Sequence, residues 1–308
     1  MFNQLVTRAA RDGGWLASGT RAQRVLEPIS RQFVAGASPT DVLSVVRRLD
    51  GHGIATTSAH LDFYLRERAE TLAAATATLQ LIEALAAAET RCVPEVSIKL
   101  TTLGASVPDG DQLLVDNVRT ICQHATQRGV LVTIDMEDTE LVDRTLDLAM
   151  ELRATYPDLG VVLQADLLRT QADCDRLATT GSRVRLVKGS YGNMPDAFGS
   201  RHEIDLSYVR CMRTLMSGDG YPMLATHDSR LIDIGLMLAN RAGRTAQDFE
   251  FQMLYNIRVP LQQQLITDGW AVRAYIPYGS DWMTWVTHRI LERPANLLLP
   301  LRSIGRQL

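Results

Sequence analysis

Cysteine is scarce. Four residues in 308, Cys92, Cys122, Cys174 and Cys211, stand far apart and form no CxxC pair, so neither a zinc ribbon nor a disulfide framework is indicated. Reduced thiols in a cytoplasmic protein fit this usage. Runs of one charge are also missing: 32 Lys and Arg against 35 Asp and Glu leave a net −3, with the basic residues scattered, which removes the footprint of nucleic-acid binding. The longest alanine-rich stretch, AAATATLQLIEALAAAE, is bounded by charge and short of about 20 strongly apolar residues. It reads as a helix with a buried face. The opening MFNQLVTRAARDGGWLASG lacks the continuous apolar core of a secretory signal. No stretch rich in Pro, Gly or Ser divides the chain into two domains.

What is present is one organisation, repeated. With 46% hydrophobic residues the chain can bury a sizeable core. Short runs rich in Val, Ile and Leu (GIATTS, PEVSIKL, VLVTIDM, GVVLQAD, RVRLVKG, PMLATHD, FEFQMLY and VRAYIPY) read as strands. Several are nearly continuous apolar runs, as suits parallel strands covered on both faces. Amphipathic stretches at 63–90, 111–128, 139–155, 169–180, 203–217, 229–241 and 259–268 lie between them, and 281–306 adds a last helical region. Eight such units predict an α/β fold, a parallel TIM-like β/α barrel at 43–308. Residues 1–42 show no strand pattern and read as an N-terminal helical arm.

A barrel places its site where strands end, because the βα loops converge on that rim. Polar residues do fall late in the runs: Lys99, Asp135 and Glu137, Gln164 and Asp166, Arg185 and Lys188, Thr226 and His227, and Tyr275. Any one of them fits an ordinary hydrogen-bonded interior residue. Together at one rim they mark a ligand site.

The motifs narrow the chemistry. His202, His227 and His288 have no HxxxH or HxH spacing, so no metal site is expected. No GxSxG elbow supports acyl transfer. A redox cofactor fits better: Arg185, Lys188 and the small pair Gly189 and Ser190 bring cations and exposed backbone N–H groups to one loop, suited to the phosphates or ring of a flavin. Gln164 suits the polar edge of that ring. Near the chain's end, WVTHRILE would set Trp285, His288, Arg289 and Glu292 on one helix face. Read alone, that face is a solvated Arg289–Glu292 pair, worth about 0.2–0.5 kcal/mol.

Taken in order, VSIKL, TIDMED, VLQADLLRT, RLVKGSY, ATHD, EFQMLY and AYIPYGSDWMTWVTHRILERPAN resemble the proline dehydrogenase family, from about residue 33 to residue 296. The resemblance implies FAD-dependent oxidation of proline to pyrroline-5-carboxylate in a distorted β/α barrel whose last helix packs over the mouth. It implies flavin contacts at Gln164, Arg185, Val187, Lys188, Gly189, Thr226 and His227. Lys99 and Arg289 match the cations on the substrate carboxylate, and Asp135, Tyr191, Leu254 and Tyr275 match the pocket wall. Glu292 matches the acid that holds the helix cations. Electrons would pass to an acceptor such as a quinone, with at most peripheral membrane contact.

The departures from that pattern are specific. His288 stands where the family has the first of two adjacent arginines, and Trp285 where it has a tyrosine. Phe63 replaces the acid of an ion-pair gate. Asp166 stands for a tyrosine, and Asn256 for a glycine. Losing one arginine of a desolvated clamp is costly, which opens an alternative: a proline-like cyclic amine whose carboxylate is masked or amide-linked, or a larger amine of a biosynthetic pathway. A flavin-binding homologue without catalysis is a third reading, opposed by Lys99, Arg185, Tyr275 and Arg289.

Overall fold

The eight predicted strands close into one parallel barrel in chain order. The structure, a computed structural model, describes residues 33–62, 64–179, 181–189 and 196–279. The strands are β1 (Ala55–His60), β2 (Glu95–Ile98), β3 (Leu131–Ile134), β4 (Gly160–Gln164), β5 (Arg183–Val187), β6 (Tyr221–Ala225), β7 (Glu250–Leu254) and β8 (Val272–Tyr278). β8 returns to β1 with Thr57 opposite Tyr275.

Helices fill the connections: α1 (Pro39–Asp50), α2 (Arg68–Ala86), the short α3 (Leu100–Leu103), α4 (Asp111–Arg128), α5 (Val142–Arg153), α6 (Thr170–Ala178), α7 (Arg201–Ser217), α8 (Ser229–Ala242) and α9 (Val259–Thr267). Their ends follow local chemistry. Capping boxes, Ser38 with Asp41 and Ser200 with Glu203, start α1 and α7 by satisfying orphan backbone N–H groups. Glycines in the left-handed region, Gly129 and Gly243, stop α4 and α8. The helix predicted from residue 63 begins at Arg68 instead, because 64–67 are not helical, with Tyr64 at φ 51°. Residue 42 falls inside α1, and residues 1–32 and 280–308 lie outside the described residues. No helix among the described residues is long and apolar enough to cross a membrane.

The apolar core lies between barrel wall and helices. Val96, Ile98, Val161, Leu163, Val184, Leu186, Phe251, Met253, Ala274 and Ile276 are all in it. They alternate with residues that point into the lumen, as a period of two requires. Each large apolar side chain buried there contributes about 1.5–3 kcal/mol. The lumen itself departs from the expectation of strands apolar on both faces: it holds Glu95, Arg183, Arg185, Glu250, Gln252 and Arg273, all but Arg183 fully buried. Buried ion pairs add little net stability over apolar packing, so the wall carries the fold and the lumen is available for chemistry.

Candidate active site

The lumen is built in layers. In the lower one, Glu95 of β2 accepts from Arg183 (2.9 Å) and Arg185 (2.6 Å) of β5. Arg273 of β8 donates its Nε to Glu250 of β7 at 2.7 Å and one terminal nitrogen to the carbonyls of Thr56 and Val93 at 2.8 and 2.9 Å. Burial alone would push the Glu95 carboxyl up, but the guanidiniums of Arg273, Arg185 and Arg183 outweigh it and hold the group at about 2.

Arg185 rises from this floor towards the rim. Its Nε donates to Gln252 (2.5 Å), one terminal nitrogen to Ser97 and Asp135 (both 2.7 Å), and the other to Glu95 (2.6 Å). A guanidinium has five N–H donors, so one has no partner among the described residues. The Tyr275 hydroxyl donates to the second Asp135 oxygen at 2.8 Å, and the guanidinium carbon lies 5.5 Å from the Tyr275 ring centre. Asp135, Arg185 and Tyr275 are thus locked to one another from β3, β5 and β8.

Around them stand the other strand ends. The Lys99 ammonium donates to the His60 carbonyl at 2.9 Å. Glu137 accepts from the backbone N–H (3.0 Å) and hydroxyl (2.6 Å) of Thr101 in the first turn of α3, and burial raises its pKa despite those bonds. The Gln164 amide donates to the Glu137 carbonyl at 3.4 Å. His227 accepts the Leu254 N–H on its Nε2 at 2.9 Å, which leaves the ring proton of the neutral form on Nδ1. Thr226 accepts from the backbone of Asp228 at 3.1 Å.

In the loop after β5 the Lys188 cation is paired with carboxylates of neighbouring helices. The Lys188 ammonium bonds Asp205 of α7 and lies 3.5 Å from Asp228, which Arg230 also holds at 2.9 Å. The Arg230 hydrogen bond, opposed by burial, leaves the Asp228 carboxyl at about 2. Gly189 follows at φ +99°, and a Cβ there would lie 2.0 Å from the Asp166 carboxyl. Its backbone therefore faces the loop without a side chain.

Lys99, Asp135, Gln164, Arg185, Val187, Gly189, Thr226, His227, Leu254 and Tyr275 gather at the C-terminal end of the barrel. Phe63, Ser190, Tyr191, Trp285, His288, Arg289 and Glu292 lie outside the described residues. Among the described residues no group of three His, Cys, Asp or Glu could hold a metal ion. Reading strand ends alone passes over the supporting residues Glu95, Ser97, Glu250, Gln252 and Arg273. Their signal was the alternation itself: polar residues at every second position in EVSIK, RVR, EFQ and RAY.

Comparison with known proteins places the barrel in a family. A family model described as proline dehydrogenase matches residues 42–297. The chain is similar to proline dehydrogenase 2 of Bacillus subtilis (strain 168), 33% identical over 283 residues and covering 90% of each chain. It is also similar to the proline dehydrogenase of Deinococcus radiodurans, 35% identical over 281 residues and covering 89% of each. In fold, proline utilization A from Bdellovibrio bacteriovorus, inactivated by N-propargylglycine, matches with a TM-score of 0.82 at 23% identity. That match covers 89% of this chain, which spans only 34% of the larger protein.

Proposed function

The chain belongs to the proline dehydrogenase family, and on that premise we propose that the barrel mouth holds FAD beside a proline bound by Lys99 and Arg289. The reaction is the oxidation of proline to pyrroline-5-carboxylate. When bound, FAD supplies a two-electron acceptor for the hydride leaving the carbon beside the amine nitrogen, and a quinone-type acceptor takes those electrons on. The residues present fit such a group. Arg185 offers its remaining N–H from a fixed position, and Gly189 leaves backbone bare where any Cβ would collide. Gln164, Val187, Ser190, Thr226 and His227 complete the cofactor set. Lys188 belongs to the same set, its ammonium held at the loop by Asp205 and Asp228.

For the substrate, a lysine gives the carboxylate a point charge and an arginine a bidentate fork. Asp135, Tyr191, Leu254, Tyr275 and Trp285 form the wall, with His288 beside Arg289 and with Glu292 orienting the helix cation. With a quinone-type acceptor the chain would make at most peripheral contact with a membrane surface. The observation that carries the reading is Arg185, fixed by four partners directly below a rim that gathers Lys99, Asp135 and Tyr275. The test is anaerobic mixing of FAD-loaded protein with proline, with the flavin absorbance expected to bleach. Protein that takes up no FAD, or whose flavin no cyclic secondary amine bleaches, would sink it.

Phe63 and His288, which replace both partners of an ion pair, favour a second reading in which the preferred amine has a masked carboxylate. Proline amide and proline methyl ester would then be turned over better than proline. In that case Phe63→Glu with His288→Arg should raise kcat/KM for proline by more than the product of the single effects.

A further inference from the structure

Of the charged residues in the lumen, Glu95 is the most completely buried. It is 0% exposed, one layer below Ser97 on the same strand, and separated from the rim by the Arg185 guanidinium it binds. Its two oxygens have separate duties: one accepts from Arg185 at 2.6 Å, the other from Arg183 at 2.9 Å. Arg185 is in turn pulled from two sides, by Glu95 below and by Asp135 at 2.7 Å towards the mouth. Asp135 also holds the Tyr275 hydroxyl. With the lower carboxylate gone, Asp135 would be the one carboxylate left bonded to the guanidinium, beside the neutral Gln252 and Ser97, and the Asp135–Tyr275 contact would move with it.

We infer that Glu95 is a positioning residue of the reaction, acting through Arg185 to set the height of that guanidinium at the barrel mouth. The inference rests on the cofactor reading above. The neighbouring bonds support it. Gln252, the other partner reaching Arg185 from the floor, is itself anchored on Glu250 at 2.5 Å, and Glu250 on Arg273 at 2.7 Å. The seat of Arg185 is thus a connected buried network, in which loss of one member is felt by the rest. A charge-assisted pair at this distance fixes geometry as well as contributing energy.

The test uses FAD-loaded protein carrying Glu95→Gln, which removes the charge at nearly constant shape, and Glu95→Asp, which keeps the charge but shortens its reach. Thermal melts establish folding, and Glu95→Asp serves if Glu95→Gln does not fold. In each folded variant kcat for proline should fall about tenfold with KM changed less than twofold, and the midpoint potential of the bound flavin should differ from the parent. In an Arg185→Met background, the Glu95 substitutions should leave kcat unchanged, because the group they act through is absent. Parent-like kcat and potential in a folded variant would overturn the inference. So would a kcat loss of the same size in the Arg185→Met background, since it would mean a general structural role. A parent protein that takes up no FAD would be a different result, defeating the cofactor reading and this inference with it.

Discussion

At Gly189 the backbone is at φ +99°, and a methyl group would come within 2.0 Å of the Asp166 carboxyl. Strain at such a position costs about 1–3 kcal/mol before the clash is counted. Gly189→Ala is therefore expected to weaken FAD retention at least about tenfold and to lower the melting temperature, as read by flavin titration and a thermal melt. Gly129 supplies the control, since it is at φ +66° with nothing within 4 Å of an added Cβ. Gly129→Ala should cost only about 1 kcal/mol and leave flavin content alone. Arg289→Met addresses the substrate instead. Removing a guanidinium from a desolvated carboxylate should cut kcat/KM for proline about a hundredfold, or ~3 kcal/mol, with the melting temperature close to the parent. Unchanged kinetics would make Arg289 only the surface partner of Glu292.

Helices and strands are tied together at the opposite end of the barrel by one side chain. Arg244, just beyond α8, donates to the carbonyls of Met216 at 2.7 Å, Gly220 at 2.9 Å and Asp248 at 2.8 Å, and also to Gly218. The end of α7, the start of β6 and the turn before β7 thus share one guanidinium, whose pKa burial lowers. The glycines around it are close-packed: a Cβ at Gly218 would meet the Ala178 carbonyl at 2.4 Å, and one at Gly220 the Ser182 carbonyl at 2.4 Å. Arg244→Ala leaves several half-buried carbonyls without a donor. A loss of about 2–4 kcal/mol is expected, seen as a fall in melting temperature on the order of 5–10 °C. Because these contacts lie at the N-terminal ends of the strands, kcat should stay at the parent value. A fall in kcat at unchanged stability would show that the two ends of the barrel are coupled.

For the molecule as a whole, apolar burial in the wall is independent of pH, whereas the ionic lumen is not. Glu95 has its pKa depressed from 4.5 to about 2 in the folded state. A depressed carboxyl contributes stability that is fully present above its unfolded pKa and is lost as pH falls towards the folded value. Melting temperature should therefore decline steeply below about pH 4.5, and that decline should be shallower in Glu95→Gln, which has nothing to protonate there. Asp228 titrates in the same window, but as a partly exposed group beside exposed Arg230 it is screened and contributes less. Equal acid slopes in parent and Glu95→Gln would show that Glu95 is not a main source of acid sensitivity.

The eight strands, the helices between them and the ring of polar strand ends were legible in the sequence, because side-chain period and strand termination are local properties. VSIK, TID, VLQ, RLVK and AYI each carry their site residue at or near the end that the barrel turns towards the mouth. Pairing was not legible in this way. Lys188 reads as a cation at a strand end, but nothing in its spacing names its partner Asp205, 17 residues on in another helix. Arg185 is held from below by Glu95, 90 positions away, and no spacing in the chain relates the two. Period fixes which face and layer a side chain occupies. Only closure of the barrel brings the inward positions of β2, β5 and β7 to a common centre, where Coulomb attraction between buried groups decides which charges pair.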